Sequence, residues 1–284
     1  MKKKMVGILT AAFCVSALLA GCGFADTAKT SASSAGAASS SADGTTTFTV
    51  GFDAEYPPYG YRDDETGDYT GFDLELAEAV CEIYDWKLVK TPINWDAKDT
   101  ELNSGAIDCI WNGFTMNGRE DDYTWSDPYV DNSQVMVVSE NSGINSLSDL
   151  AGKTVGVQAA SAALDLLQSE EEGGQKELAD TFAALQQFPD YNNAFVELQA
   201  GSIDAVAMDI GVAKYQLESR GEGYKILDEH LNSEKYAIGF KKGNTELCDK
   251  VNEGLQQVLA DGTFDKLAEK YGIADMVCLE KKGE

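Results

Sequence analysis

The sequence predicts an α/β protein of two domains, carried behind an export leader and a polar tether. Three observations predict it. From Phe48 onward, β-rich runs alternate with stretches of helical periodicity, the pattern of sheets flanked by helices. A length of 284 residues has room for two ordinary domains. Residues 26–47 are almost wholly Ser, Ala, Thr and Gly, too poor in apolar surface to offset their chain entropy.

The leader reads residue by residue. Lys2-Lys3-Lys4 precede an apolar run from Met5 to Ala20, a charged n-region and an h-region too short for a comfortable membrane span. The run closes in Leu19-Ala20-Gly21-Cys22, which resembles the lipobox of bacterial lipoproteins. That resemblance implies a signal peptide of residues 1–21, cleavage before Cys22, and a diacylglyceryl group on its sulfur. Two acyl chains hold a protein at a membrane stably where one does not. The expected location is the extracytoplasmic face of the cell membrane, with residues 22–47 spacing the body roughly 25 Å from the anchor.

Formal charge is −26, and loss of the leader's lysines takes it to −29. Such a chain does not suit nucleic acid, whose phosphates call for Lys and Arg; a solvated acidic surface explains it better. His230 is the only histidine, which argues against a histidine metal site or catalytic triad. Of six cysteines, Cys14 leaves with the leader and Cys22 is the lipidation candidate. Cys81 and Cys109 sit in apolar stretches and read as buried thiols. Four cysteines allow three connectivities; a Cys248–Cys278 disulfide is the pairing expected of an exported chain.

In order, residues 48–52 read as a strand, 53–59 as an aromatic, proline-stiffened loop, and 60–71 as a polar hairpin turning at Asp64 and Gly67. A helix follows, with Leu74, Leu76, Ala77, Val80, Cys81 and Tyr84 on roughly helical spacing. Residues 86–91 read as a strand, 95–105 as a helix, and 107–111 as a strand ending in Asn112-Gly113. The next loop delivers Thr115 and Arg119 at a strand end, where ligand groups converge in α/β sheets. Arg119 offers a planar fork for a carboxylate, while Asn112, Thr115 and the backbone at Gly113 suit an ammonium or further oxygens. The same residues also suit an ordinary junction with a solvated arginine, and spacing alone does not choose.

The second half repeats the alternation. Residues 154–157 form a strand, and a helix opens at Ser161-Ala162, Ser161 reading as its N-cap. Its free N–H groups favour an anion, although a plain capped helix reads the same way. Strands at 186–188 and 203–209 flank a helix at 191–201, and the second strand ends in Asp209, a ligand acid or a helix cap. A strand at 223–226, a return segment at 235–240 and helices at 244–260 and 263–271 complete the chain. Leu255, Val258, Leu259 and Leu267 supply the apolar stripe of the closing helices.

Asp53-Ala54-Glu55-Tyr56-Pro57-Pro58-Tyr59, residues 71–81, the loop from Asn112 to Arg119 and Trp125-Ser126-Asp127-Pro128-Tyr129 stand in this order. Together they resemble the family 3 extracellular solute-binding proteins, the polar amino acid receptors of ABC importers. The likeness spans roughly Phe48 to the C-terminus. It implies the two-lobed periplasmic-binding-protein type II (Venus flytrap) fold with two crossover segments, the first near residues 130–133. Lobe 1 would comprise 48–131 and 234–284, and lobe 2 132–233. It further implies a monomer without cofactor or metal, not an enzyme. Such a protein closes on a free L-amino acid (polar, basic or cystine-like) and delivers it to an ABC permease with its ATPase.

In that frame Arg119 clamps the α-carboxylate, with backbone N–H groups near Thr115, Ser161 and Ala162. Asp209 takes the α-ammonium with Asn112 or Gly113, and Tyr56, Tyr59 and Trp111 wall the side chain. Two departures stand out. Ala162 replaces the usual Thr or Ser, and one residue fewer separates Thr115 from Arg119. Rival readings on the same scaffold are a dehydratase of cyclic amino acid precursors, with Asp53 or Glu55 as acid or base, and a sensory domain.

Overall fold

A computed structural model describes residues 45–282; the leader, Cys22 and most of the tether lie outside them. β1 (Thr47–Phe52) leads into a small antiparallel sheet of β2 (Glu55–Tyr56), β3 (Gly60–Arg62) and β4 (Tyr69–Thr70). Then come α1 (Phe72–Ile83), β5 (Lys87–Pro92), α2 (Lys98–Ser104), β6 (Cys109–Ile110) and β7 (Tyr123–Trp125). β8 (Val130–Asn132) and β9 (Gln134–Ser139) carry the chain into the second lobe. That lobe holds β10 (Thr154–Gln158), α3 (Ala162–Gln168), α4 (Lys176–Ala179), β11 (Ala184–Phe188), α5 (Tyr191–Ala200), β12 (Ala205–Asp209), α6 (Ile210–Arg220) and β13 (Tyr224–Ile226). β14 (Glu234–Tyr236) and β15 (Gly239–Lys241) return, and α7 (Thr245–Ala260) and α8 (Thr263–Lys270) follow.

Each lobe is built on one mixed five-stranded sheet. The orders are β5-β1-β6-β15-β7 and β11-β10-β12-β9-β13. Between them, β8 pairs antiparallel with β14 and sets Asn132 opposite Glu234. This two-stranded ribbon is the crossing point.

Each sheet has a seam of the same design, which the sequence writes twice. β1 carries Thr49-Val50-Gly51 and β10 carries Thr154-Val155-Gly156. α2 and α5 each end at a left-handed glycine, Gly105 and Gly201, a conformation glycine adopts without Cβ strain. Ala-Ile-Asp follows the first and Ser-Ile-Asp the second. Asp108 then accepts from the Thr49 N–H at 2.7 Å, and Asp204 from the Thr154 N–H at 2.8 Å. A methyl on Gly51 would lie 2.4 Å from Ile107 Cδ1, and one on Gly156 2.6 Å from Ile203 Cδ1. Each glycine is the hollow that receives the isoleucine.

In lobe 1, α1 packs against α7 and α8. Val80 fits over Gly254, where a methyl would approach its Cγ1 to 2.8 Å. Leu255, Val258 and Leu259 are buried there and Leu267 is half-buried, as the apolar stripe predicts. Asp73, in the first turn of α1, is fully buried and accepts from the Gly113 N–H and from Tyr129 Oη. It thereby fixes the loop after β6 to α1. Burial raises its pKa to about 7, against the opposing pull of those two donors.

The structure departs from the sequence reading in a few places. The strand expected at 107–111 shrinks to β6, and the return segment splits, because Tyr236 pairs with β8 while Gly239 joins the lobe 1 sheet. β7 and α4 were not expected and are short; α6 entered only through the reading of Asp209 as a helix cap, and it has no clear apolar stripe. The expected Cys248–Cys278 disulfide is absent, both thiols being free. Cys248 Sγ donates to the Trp125 carbonyl at 3.1 Å, whereas Cys278 runs beside β8, its N–H bonded to the Tyr129 carbonyl. Cys81 and Cys109 are buried thiols as expected.

Two measurements check these features. Reductant leaves the melting temperature unchanged; a drop of several degrees would reveal a stabilising disulfide. Because folding raises the Asp73 pKa from 3.8 to about 7, the folded chain binds this proton more tightly than the unfolded chain does. Its contribution therefore falls as pH rises through that window and is fully lost above it. Urea unfolding from pH 4 to 7.5 should show wild type losing stability relative to Asp73→Asn by a few kcal/mol, on the order of 1.4 kcal/mol for each pH unit that separates the two pKa values. Parallel curves would contradict this.

Candidate binding cleft

The expected site residues fall into two groups. Tyr56 and Tyr59 of lobe 1 gather with Tyr191 of α5 and Tyr236 of the return crossover. Ring centroids lie 6.0 Å apart for Tyr56–Tyr59 and Tyr56–Tyr191, and 5.1 Å for Tyr59–Tyr236. Gly113 lies beneath them at φ +54°, where a Cβ would come within 3.2 Å of the rings of Tyr56, Tyr59 and Tyr236. Only glycine lets three rings approach so closely. Its N–H is held by Asp73 and is not offered to the cleft.

Trp111 and Asn112 do not join the ring group as walls. Trp111 is fully buried in the core, its indole N–H without a partner among the described residues. Asn112 is buried, and its Oδ1 accepts from the Asp53 N–H at 2.8 Å. The residue braces the motif loop after β1. Its Nδ2 has no partner among the described residues.

Asp209 closes β12 and is almost fully buried. Its Oδ1 accepts from Asn132 Nδ2 at 2.9 Å, Gln134 Nε2 at 2.8 Å and Tyr236 Oη at 2.6 Å. Its Oδ2 accepts from Tyr191 Oη at 3.2 Å. The side chain does not cap α6, which removes the helix-cap alternative.

The second group surrounds a cavity of about 390 Å³ between the lobes, with Arg119, Ala162, Asp165, Ser169, Asn232 and Glu234 on its wall. Arg119 Nη2 donates to Asp165 Oδ2 at 2.6 Å across the lobes, and its guanidinium stacks on Phe114, 5.3 Å from the ring centroid. The shortened loop therefore still brings the arginine into the cleft. Thr115 donates its hydroxyl to Glu234 Oε1 at 2.7 Å. Ser161 is the N-cap of α3, accepting from the Leu164 N–H at 3.1 Å, as its spacing indicates.

Other contacts hold the lobes together. Gln158 Nε2 donates to Asp53 Oδ2, and Asn192 Nδ2 to Glu55 Oε2, both at 2.7 Å. Tyr59 Oη sits where a methyl on Gly211 would be 2.3 Å away. Asp53 and Glu55 also line a second inter-lobe cavity of about 630 Å³ with Trp95, Asp96, Glu101 and Asp190. Burial pushes the Asp53 carboxyl up to about 6, although the Glu55 N–H and the Gln158 amide favour its charge.

Sequence reasoning missed Glu234, Asn132, Gln134, Tyr191, Tyr236 and Asp165. The first two face each other only through the β8–β14 pairing, which joins residues about a hundred apart. The one available signal was a polar Asn-Ser-Gln triplet, residues 132–134, inside the apolar crossing.

Comparisons with known proteins agree with this architecture. Residues 48–274 match the bacterial extracellular solute-binding proteins, family 3. The arginine-binding extracellular protein ArtP of Bacillus subtilis is 30% identical over 273 residues, covering 95% of this chain and 98% of that protein. The L-cystine-binding protein TcyJ of Escherichia coli is 28% identical over 233 residues, 81% of this chain and 84% of its own. A substrate-binding protein of an ABC uptake transporter from Streptococcus pneumoniae, solved with bound histidine, superposes with a TM-score of 0.77 at 34% identity, covering 82% of this chain and 95% of that one. This chain belongs to the family 3 bacterial extracellular solute-binding proteins.

Proposed function

We propose that the chain captures a free L-amino acid between its lobes and delivers it to an ABC permease, held at the membrane by a lipid on Cys22. One observation carries the capture step. A guanidinium held on lobe 1, Arg119, lines the inter-lobe cavity with Glu234, and Glu234 shares the Asn132 and Gln134 amides with the buried carboxylate at the end of β12 in lobe 2, Asp209. Such opposite charges suit the two ends of a zwitterion. In this reading Arg119 takes the α-carboxylate, assisted by the backbone at Thr115 and Ala162, and Asp209 takes the α-ammonium. Tyr56 and Tyr59 flank the ligand. Binding to both lobes stabilises the closed state, because the open form offers each lobe's contacts singly. The names of the relatives span arginine, cystine and histidine, so a polar, basic or cystine-like amino acid is the class to test.

Asp53, a buried acid with a raised pKa in the second cavity, favours one other reading, a dehydratase on the same scaffold. A thermal-shift screen against the proteinogenic amino acids, cystine and prephenate separates the two. The transport reading expects a concentration-dependent rise with one or a few L-amino acids. Arg119→Ala and Asp209→Ala should each cost about 2–5 kcal/mol of binding, the scale for truncating one partner of a buried charge pair. Consumption of prephenate with no amino acid shift would reverse the assignment.

Closure itself has a separate test. Gly211→Ala places a methyl against Tyr59 Oη, so small-angle scattering should show a larger radius of gyration with ligand than for wild type. An identical ligand-bound radius would rule out this contact as the limit on closure.

A further inference from the structure

Glu234 is a buried carboxylate that the amino acid reading leaves without a task. It lies on the return crossover, 2% exposed, on the wall of the cavity that also holds Arg119. Its Oε1 accepts from Thr115 Oγ1, Asn132 Nδ2 and Gln134 Nε2, at 2.7, 2.7 and 2.8 Å. Its Oε2 accepts from Asn232 Nδ2 at 2.8 Å. Two of those donors, the Asn132 and Gln134 amides, are the same nitrogens that bond Asp209. Each amide gives one N–H to each carboxylate.

This sharing has a geometric meaning. The positions of Asn132 Nδ2 and Gln134 Nε2 show that one nitrogen can stand within 2.9 Å of both carboxylates at once. It also has an electrostatic cost. Asp209 and Glu234 are near neighbours in a low-dielectric interior, their donors are neutral amides and hydroxyls, and among the described residues neither makes an ion pair. Both amides have turned their N–H groups toward the acids, leaving Asn132 Oδ1 and Gln134 Oε1 buried without a hydrogen-bond partner among the described residues. Buried like charges of this kind call for a cation.

We infer that Glu234 is a second acceptor for the ligand's α-ammonium, so that Asp209 and Glu234 hold one –NH₃⁺ between them. The inference rests on the amino acid reading above and deepens it. An ammonium has three donors and no acceptor, which matches two carboxylates better than one. Glu234 also stands on the Arg119 cavity, so the cationic and anionic ends of one small zwitterion are met across a single space. The ligand class narrows accordingly to α-amino acids with a free ammonium. Nα-acylated amino acids and keto acids are excluded by unpaired negative charge. Thr115 becomes a positioning residue, its hydroxyl fixing Glu234 rather than touching the ligand.

The test is calorimetric titration of the purified full chain and its Glu234→Gln variant with L-arginine, L-histidine and L-cystine. Any ligand that binds is then repeated as its Nα-acetyl form. Glu234→Gln should weaken the free amino acid by about tenfold or more, the equivalent of about 1.4 kcal/mol, and leave the Nα-acetyl form no weaker than in wild type. Its ligand-free melting temperature should not fall, because a buried charge has been removed. Glu234→Asp, which keeps the charge but shortens the arm, should fall between the two. Affinity for the free amino acid within about threefold of wild type would overturn the inference while leaving the transport reading intact. An equal loss for both ligand forms would also overturn it, showing a disturbed hinge. Failure of wild type to bind any of the three would instead strike the amino acid reading beneath it.

Discussion

Two carboxylates sharing two amides at the crossing between lobes form the constraint around which the cleft is arranged. Asp209 ends a lobe 2 strand, Glu234 sits on the return crossover, and Asn132 and Gln134 flank the outgoing one. Neither acid can move far without losing its bonds to both amides and leaving their N–H groups unpaired, and an orphaned buried polar group costs about 1–3 kcal/mol, more when charged. The crossover ribbon is therefore held in register by polar bonds and not by packing alone. Tyr236, two residues beyond Glu234, adds its hydroxyl to Asp209, so the same ribbon also sets the aromatic ring group. From two pairings, β8 with β14 and β9 with β12, follow the places of two acids, two amides and a ring.

Away from this centre, the lobes meet through polar contacts of modest individual worth. The Arg119–Asp165 pair joins a largely buried guanidinium to a mostly exposed carboxylate, and pairs of that kind contribute about 0–1 kcal/mol. The Asn192–Glu55 bond is likewise exposed, whereas the Gln158–Asp53 bond is buried and is the stronger of these contacts. Such polar contacts suit a cleft that opens and closes, while the rings of Tyr56, Tyr59 and Tyr191 supply the apolar contact between the lobes near the crossing.

Most of the fold was legible in the sequence because it is local. The β1 and β10 strands, α1, α2, α5, α7 and α8 announce themselves by periodicity and by glycines at helix ends. Ser161 announced its cap, and Arg119 its place at a strand end. The resemblance supplied Tyr56 and Asp209. What stayed hidden depends on distant pairing. Glu234 reads as an ordinary acidic residue in a run from Asn232 to Lys235, and nothing local says that it turns inward toward Asn132. Trp111 shows the converse. An indole beside a ligand loop invites the role of a wall, yet its place directly after β6 buries it in the core, where large aromatics are at home. The cysteines misled for a related reason, since nearness along the closing segment did not bring their sulfurs together.

The repeated seam has a consequence for how this chain came to be and how it assembles. Thr-Val-Gly on a central strand, answered after a helix by Gly-x-Ile-Asp, occurs once in each lobe with matching hydrogen bonds and matching hollows. Each copy joins a strand to the next parallel strand within one lobe, so each lobe carries its own nucleus of contacts. Two such matched seams are what duplication of a single ancestral module would leave behind. Lobe 2 is continuous in the chain, whereas lobe 1 is complete only once β15, α7 and α8 have come back to it through the return crossover.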